Sequence, residues 1–262
     1  MSPDDGLQRG GSATTDATTT TAPADPPVSP AARPRPAVRR TAVRGVLLSL
    51  AVAAAFVGLD LAYRLGGGPA DDPTSRLKMD EDGSYAEIVA WVAMVLAAVL
   101  LAQRALALPR AAVLGAWAAM LLVVTADDAL MIHETAGGAV ARGLGWTGAL
   151  GLDAQGWGEL AVWAVIGAVV GTALLLTFLR SGRLARRTSG YLLACVGVLG
   201  VGAVGVDMIA VVAEPYVDGT LSWLIAAAES GVELLAAGLF LTVAVCLLVA
   251  TRAAPGAGAR VA

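Results

Sequence analysis

From Val43 onward the chain is a succession of long apolar runs separated by short polar breaks. Six runs stand out, at about 44–63, 85–105, 111–133, 158–179, 190–213 and 221–250. A helix rises about 1.5 Å per residue, so some twenty apolar residues match the ~30 Å of hydrocarbon in a bilayer. Backbone N–H and C=O groups find no water there, which leaves helices or a closed barrel. The runs are too long and too evenly apolar for barrel strands. The pattern predicts an all-α membrane bundle of six transmembrane helices over 43–251, ending in a short cytoplasmic tail at 252–262. Upstream, residues 1–42 are rich in Thr, Ala, Pro and Asp and hold too little apolar surface to offset the entropy of ordering. They are expected to form a disordered cytoplasmic tail. No short apolar stretch followed by a small-residue cleavage site marks a signal peptide.

Composition agrees with this reading: 57% of residues are apolar and 15% charged, against roughly 45–50% and 25% in soluble domains. The chain of 262 residues leaves room for one membrane domain. Charge position says more than the net charge of −3. Fourteen of the 18 Lys and Arg residues fall in the tail, around Arg104 and Arg110, in the Arg180–Arg187 loop, or near Arg252 and Arg260. Basic residues stay on the cytoplasmic side, so both termini should be cytoplasmic and the protein should be a multi-pass component of the cytoplasmic membrane. No nucleic-acid surface is suggested, and the lipid bilayer is the expected partner. Cys195 and Cys246 lie in apolar runs and read as buried thiols. Glycines at Gly167 and Gly171, and from Gly197 to Gly205, are expected to mark close helix contacts inside the bundle.

The acids are distributed oppositely to the basic residues. Outside the tail all 17 lie in external loops or the outer parts of helices. Asp71 to Asp82 form an acidic loop of the kind that is usually only solvated, while Asp60, Glu87 and Glu159 near helix ends are readily accounted for by snorkelling or the helix dipole. The deeper acids are costly, about 2.5–3.5 kcal/mol each at a helix centre. The third run ends in T-A-D-D-A-L-M-I-H-E, with Asp127, Asp128, the single histidine His133, and Glu134. In a continuous helix Asp127 and Glu134 would share a face. The fifth run carries Asp207, and the sixth carries Glu229 and Glu233 four apart on one face. These seven residues are the candidate cation or proton cluster, expected to converge on one outward-facing cavity. A carboxylate-rich set would suit a divalent cation such as Mg²⁺, Mn²⁺ or Ca²⁺.

The segments M-D-E-D-G-S-Y-A-E-I at 79–88, D-D-A-L-M-I-H-E at 127–134 and E-S-G-V-E at 229–233 resemble a group of uncharacterised bacterial multi-helix membrane proteins. The resemblance covers the membrane domain and implies no known activity. Three roles remain open on the residues alone. The cluster could bind a cation or protons for transport or sensing of an ion or small molecule. It could hold a catalytic metal of a membrane hydrolase acting on a lipid-like or external substrate. It could also only fasten helices together. One histidine is too few for a polyhistidine zinc site, and the paired Glu-x-x-His motifs of di-iron bundles are absent.

Overall fold

A computed structural model describes residues 36–68, 75–149, 152–206 and 219–252. The first helix, α1 (Pro36–Leu65), begins about two turns before its apolar run. Proline at a first helical position has its φ already set and loses no hydrogen bond there, and the V-R-R-T-A-V-R stretch that follows is helix-competent. Helix α2 (Tyr85–Ala107) starts at a Ser84 cap whose Oγ accepts from Glu87 N at 3.2 Å. Helix α3 (Ala112–Ala129) then stops short.

The run at 111–133 is therefore not one helix. Met131 adopts a left-handed conformation at φ 50°, and a new helix, α4 (Ile132–Leu144), begins beyond it in what the hydropathy pattern assigns to an external loop. Hydropathy alone does not register a break flanked by Leu130, Met131 and Ile132. An Asp153 side chain accepts from Gly156 N at 2.7 Å and caps α5 (Ala154–Leu179). Helix α6 (Arg183–Gly200) leads into a π-helical segment (Val201–Val206), and α7 (Gly219–Arg252) closes the described chain. The remainder of the fifth predicted run lies outside the described residues.

The described residues form seven α-helices of an all-α fold, and among them α1, α2, α3, α5 and α7 are long and apolar enough to cross a membrane. Their outward faces carry Leu47, Leu48, Val165, Val169, Leu175 and Leu176 in the open. That much unshielded apolar surface belongs in lipid. The interior is built largely from small residues: Ala97, Ala98, Ala118, Ala237 and Ala244 pack with Leu101, Leu114, Leu192 and Phe240. Helices in lipid gain little from hydrophobicity and much from close packing.

Helix α7 lies at the centre, against α1, α2, α6 and the π-helical segment. Its approach to α1 depends on Gly45 and Gly238: a Cβ on Gly238 would sit 2.5 Å from Ser49 Oγ, and one on Gly45 would sit 2.5 Å from Thr242. Helix α5 touches α4 through Gly137, where a Cβ would come within 2.6 Å of Glu159 N. Among the described residues a Cβ on Gly167 or Gly171 would meet nothing within 4 Å, and of Gly197, Gly200, Gly202 and Gly205 only Gly202 would meet a neighbour, Val232. Small-residue spacing shows where helices can approach closely; which helices do so depends on the loops and crossings around them.

The bundle has two chemically distinct ends. At one end Arg104 Nη1 donates to Thr251 Oγ1 at 3.4 Å, Gly182 N to Arg110 O at 2.7 Å, and Val113 N to Ser181 Oγ at 3.3 Å. The start of α1 and the last turns of α7 meet at this end too, where Cys246 Sγ lies 4.0 Å from Val38 O. Ten arginines belong to this end and no described acid does. The described carboxylates are all at the opposite end.

Candidate functional site: an acid-lined cavity

At the acidic end the segment before α2 is drawn over the helices by charge. Arg64, in the last turn of α1, donates from Nε to Asp60 Oδ1 at 2.9 Å and from an Nη nitrogen to Asp80, while its guanidinium lies 5.2 Å from the ring centre of Trp223. Lys78 is almost fully buried and pairs with Glu81 at 3.1 Å. Ser230 of α7 donates to the Met79 carbonyl at 3.0 Å. Glu87 accepts from the Gly83 N–H while its own N–H bonds to Ser84, so the turn into α2 is satisfied reciprocally, much as in a capping box.

Beneath this segment lies a cavity of about 450 Å³. It is walled by α2, the end of α3, Trp163 of α5, Leu199 of α6, and the stretch of α7 from Ala226 to Ala237. Seven carboxylates line it: Asp80, Glu81 and Asp82 from the loop, Glu87 from α2, Asp128 from α3, and Glu229 and Glu233 from α7. No described lysine, arginine or histidine lines it. Asp128 is oriented by Trp91, whose Nε1 donates to Oδ2 at 2.7 Å. Apolar contributions from Met94, Val124, Leu234 and Trp163 alternate with the acids, so the cavity offers negative charge between low-dielectric walls. Among the described residues no three His, Cys, Asp or Glu side chains converge tightly enough to hold a metal ion.

The residues singled out in the sequence divide accordingly. Asp128, Glu229 and Glu233 share the cavity. Asp127 and His133 do not line it; they bond to each other, Nδ1 to Oδ2, at 2.8 Å. In an unbroken helix positions six apart diverge by some 240° and about 9 Å, so this contact exists because the chain turns at Met131. The His133 ring also packs on Trp163 at 5.6 Å between centres. Glu134 is exposed in the first turn of α4, away from the buried Asp127, and the common face expected for the two is removed by the same break. Asp207 lies outside the described residues.

Of the helix-end acids, Asp60 is fully buried and paired with Arg64, and Glu159 accepts from Gln155 at 2.9 Å. Glu87 caps its helix and also faces the cavity. Asp80 and Asp82 are exposed, as expected of a solvated acidic loop, and Glu81 is half-buried, yet all three also line the cavity. The signal available was the Ser-x-x-Glu pattern at Ser84 and Glu87, which fixes where the loop must end. Nothing in the pattern points to Trp163.

A family model described as domain of unknown function DUF8692 matches residues 46–249. The chain belongs to this family. The match takes in all seven described helices except the first turns of α1 and the last residues of α7, so every residue that lines the acid-lined cavity falls inside the matched stretch. No curated protein and no solved structure matches the chain.

Proposed function

We propose that this DUF8692 protein captures cations in the acid-lined cavity, on the outer face of a cytoplasmic membrane, in the service of transport or sensing. The observation that carries the reading is the convergence of seven carboxylates from four segments on one cavity that no described basic side chain lines. Acids near a bilayer core are expensive and are ordinarily retained along ion or proton paths. The separation of arginines at one end from carboxylates at the other supports both termini lying in the cytoplasm, by retention of basic residues there. It also supports six spans, with α6 and the π-helical segment belonging to the one beyond the five long apolar helices. Because the acids surround the cavity without converging on a point, the cation suited to it retains part of its water or is an organic ammonium ion resting on Trp163.

The test is titration of the purified protein with magnesium, potassium and tetraethylammonium chlorides at constant ionic strength, read by fluorescence of the tryptophans beside the cavity. A saturable response to at least one cation, weakened tenfold or more by Glu229→Gln or Glu233→Gln, is expected. A response that does not saturate, or that both variants retain in full, rejects the proposal. Ion flux into liposomes then separates transport from sensing.

A further inference from the structure

A second recess lies at the arginine-rich end. It measures about 600 Å³ and runs between the start of α1, the start of α6 and the last turns of α7. Its walls are almost wholly apolar, with Ala42, Val46, Leu239, Val243 and Leu247 among them. Along α7 the lining extends from Leu239 to Ala250, about 16 Å of helix. Two charged residues line it, Arg39 and Arg187, each close to the first turn of its helix and exposed.

Among the described residues neither arginine has a carboxylate to pair with. The ion pairs among the described residues all lie at the opposite end, and none involves Arg39 or Arg187. Arg186, by contrast, is occupied, since it donates to the Phe178 and Leu179 carbonyls that end α5. Arg187 is steadied by Tyr191, with Nε donating to the phenol oxygen at 3.2 Å. A guanidinium retains further donors after one such bond and matches phosphate oxygens well. The recess therefore combines a long apolar slot, open at the level where a helix leaves the bilayer, with two guanidiniums that no described carboxylate compensates at its polar end.

We infer that this recess binds an anionic phospholipid, its phosphate between Arg39 and Arg187 and an acyl chain along the slot between α1, α6 and α7. Basic pockets between transmembrane helices recognise acidic headgroups in this way. The two parts of the site do different work: the slot accepts any acyl chain, and the arginines choose the headgroup. Occupancy would hold α6 against α1 and α7 at an end where the described structure leaves a void instead of side-chain packing.

The experiment is native mass spectrometry of the full chain in dodecyl maltoside, titrated with phosphatidylglycerol and with phosphatidylcholine of identical acyl chains. The wild type should retain phosphatidylglycerol on the order of tenfold more tightly. Arg39→Gln with Arg187→Gln should reduce it to the phosphatidylcholine level. Arg40→Gln with Arg44→Gln removes the same charge from the same end at exposed positions that do not line the recess, and should leave the preference intact. Ala42→Phe, which places a ring in the slot, should weaken both lipids together, and millimolar inorganic phosphate should not displace the bound phosphatidylglycerol. Equal retention of the two lipids overturns the inference. So does an equal loss in the Arg40 and Arg44 control, or complete displacement by phosphate, which would mean that the slot takes no part.

Discussion

Removing Arg64 isolates one of the most deeply buried charges in the bundle. Asp60 has 0% of its surface exposed, Arg64 Nε bonds its Oδ1 at 2.9 Å, and its Oδ2 has no partner among the described residues. Arg64→Met keeps most of the apolar stem and deletes the guanidinium. Breaking a buried ion pair by removing one partner costs about 3–5 kcal/mol, because the remaining charge is left in a low dielectric. The contacts to Asp80 and Trp223 are more accessible and add about 0.5–1 kcal/mol each. For a domain of this size the pair alone corresponds to a fall in Tm of about 6–20 °C. Thermal unfolding in dodecyl maltoside, followed by size-exclusion chromatography of the remaining monodisperse protein, measures it. Asp60→Leu with Arg64→Met removes both charges and should recover more than half of the loss. A single Arg64→Met variant within about 2 °C of wild type would refute the reasoning, and so would a double variant no better than the single one.

Three further outcomes follow from the geometry. Ser84→Ala removes the oxygen that accepts from Glu87 N and should cost about 0.5–2 kcal/mol in the same unfolding assay. Gly238→Val drives a side chain into Ser49 and should cost about 1–3 kcal/mol, whereas Gly167→Val, with nothing within 4 Å, should leave Tm unchanged. His133→Ala leaves both oxygens of the buried Asp127 without a partner, since Oδ1 already has none, and should cost about 1–3 kcal/mol; Asp127→Leu in the same protein should restore part of that stability.

The membrane class and most helix positions were legible because a bilayer imposes one rule, about twenty apolar residues per crossing, that hydropathy reads directly. The interruption at Met131 was not legible. Leu130, Met131 and Ile132 are as apolar as the helix they break, and the left-handed residue is neither glycine nor asparagine. That one conformation decides the fate of the T-A-D-D-A-L-M-I-H-E motif: it turns Asp127 and His133 into a packed pair and leaves Asp128 to the cavity. Glu229 and Glu233 were legible as a pair because four residues on a helix are one turn. Their meeting with Asp80, Glu81 and Asp82 depends on a loop pulled inward by Arg64, Lys78 and Ser230, a set of contacts between residues up to 151 positions apart in the case of Ser230 and Met79.

The two recesses follow one another along the same helix. On α7 the acid-lined cavity ends at Ala237 and the apolar slot begins at Leu239; on α6 the corresponding neighbours are Leu199 and Cys195, one turn apart. Gly238, closed against Ser49, stands between them on α7, and the packed layer continues at the level of the slot with the fully buried Phe240 and Leu192. A cation held by Glu233 would have to shed its water to cross this layer, and nothing apolar on the far side repays the loss of hydration. Under the proposed function, this conformation would hold a cation without conducting it, and transport would require α6 and α7 to separate. The π-helical segment at Val201–Val206 is the natural place for that movement to begin. Its hydrogen bonds already depart from the α pattern, a Cβ on Gly205 would meet no described atom within 4 Å, and Gly202 rests directly on Val232, between the two cavity glutamates. A side chain at position 202 would meet Val232 at 3.0 Å and wedge α7 away from the π-helical segment. Gly202→Ala should accordingly change cation affinity in the cavity without altering any carboxylate that lines it. If cation titration of that variant is indistinguishable from wild type, the π-helical segment is not coupled to the cavity and the movement must be sought in another helix.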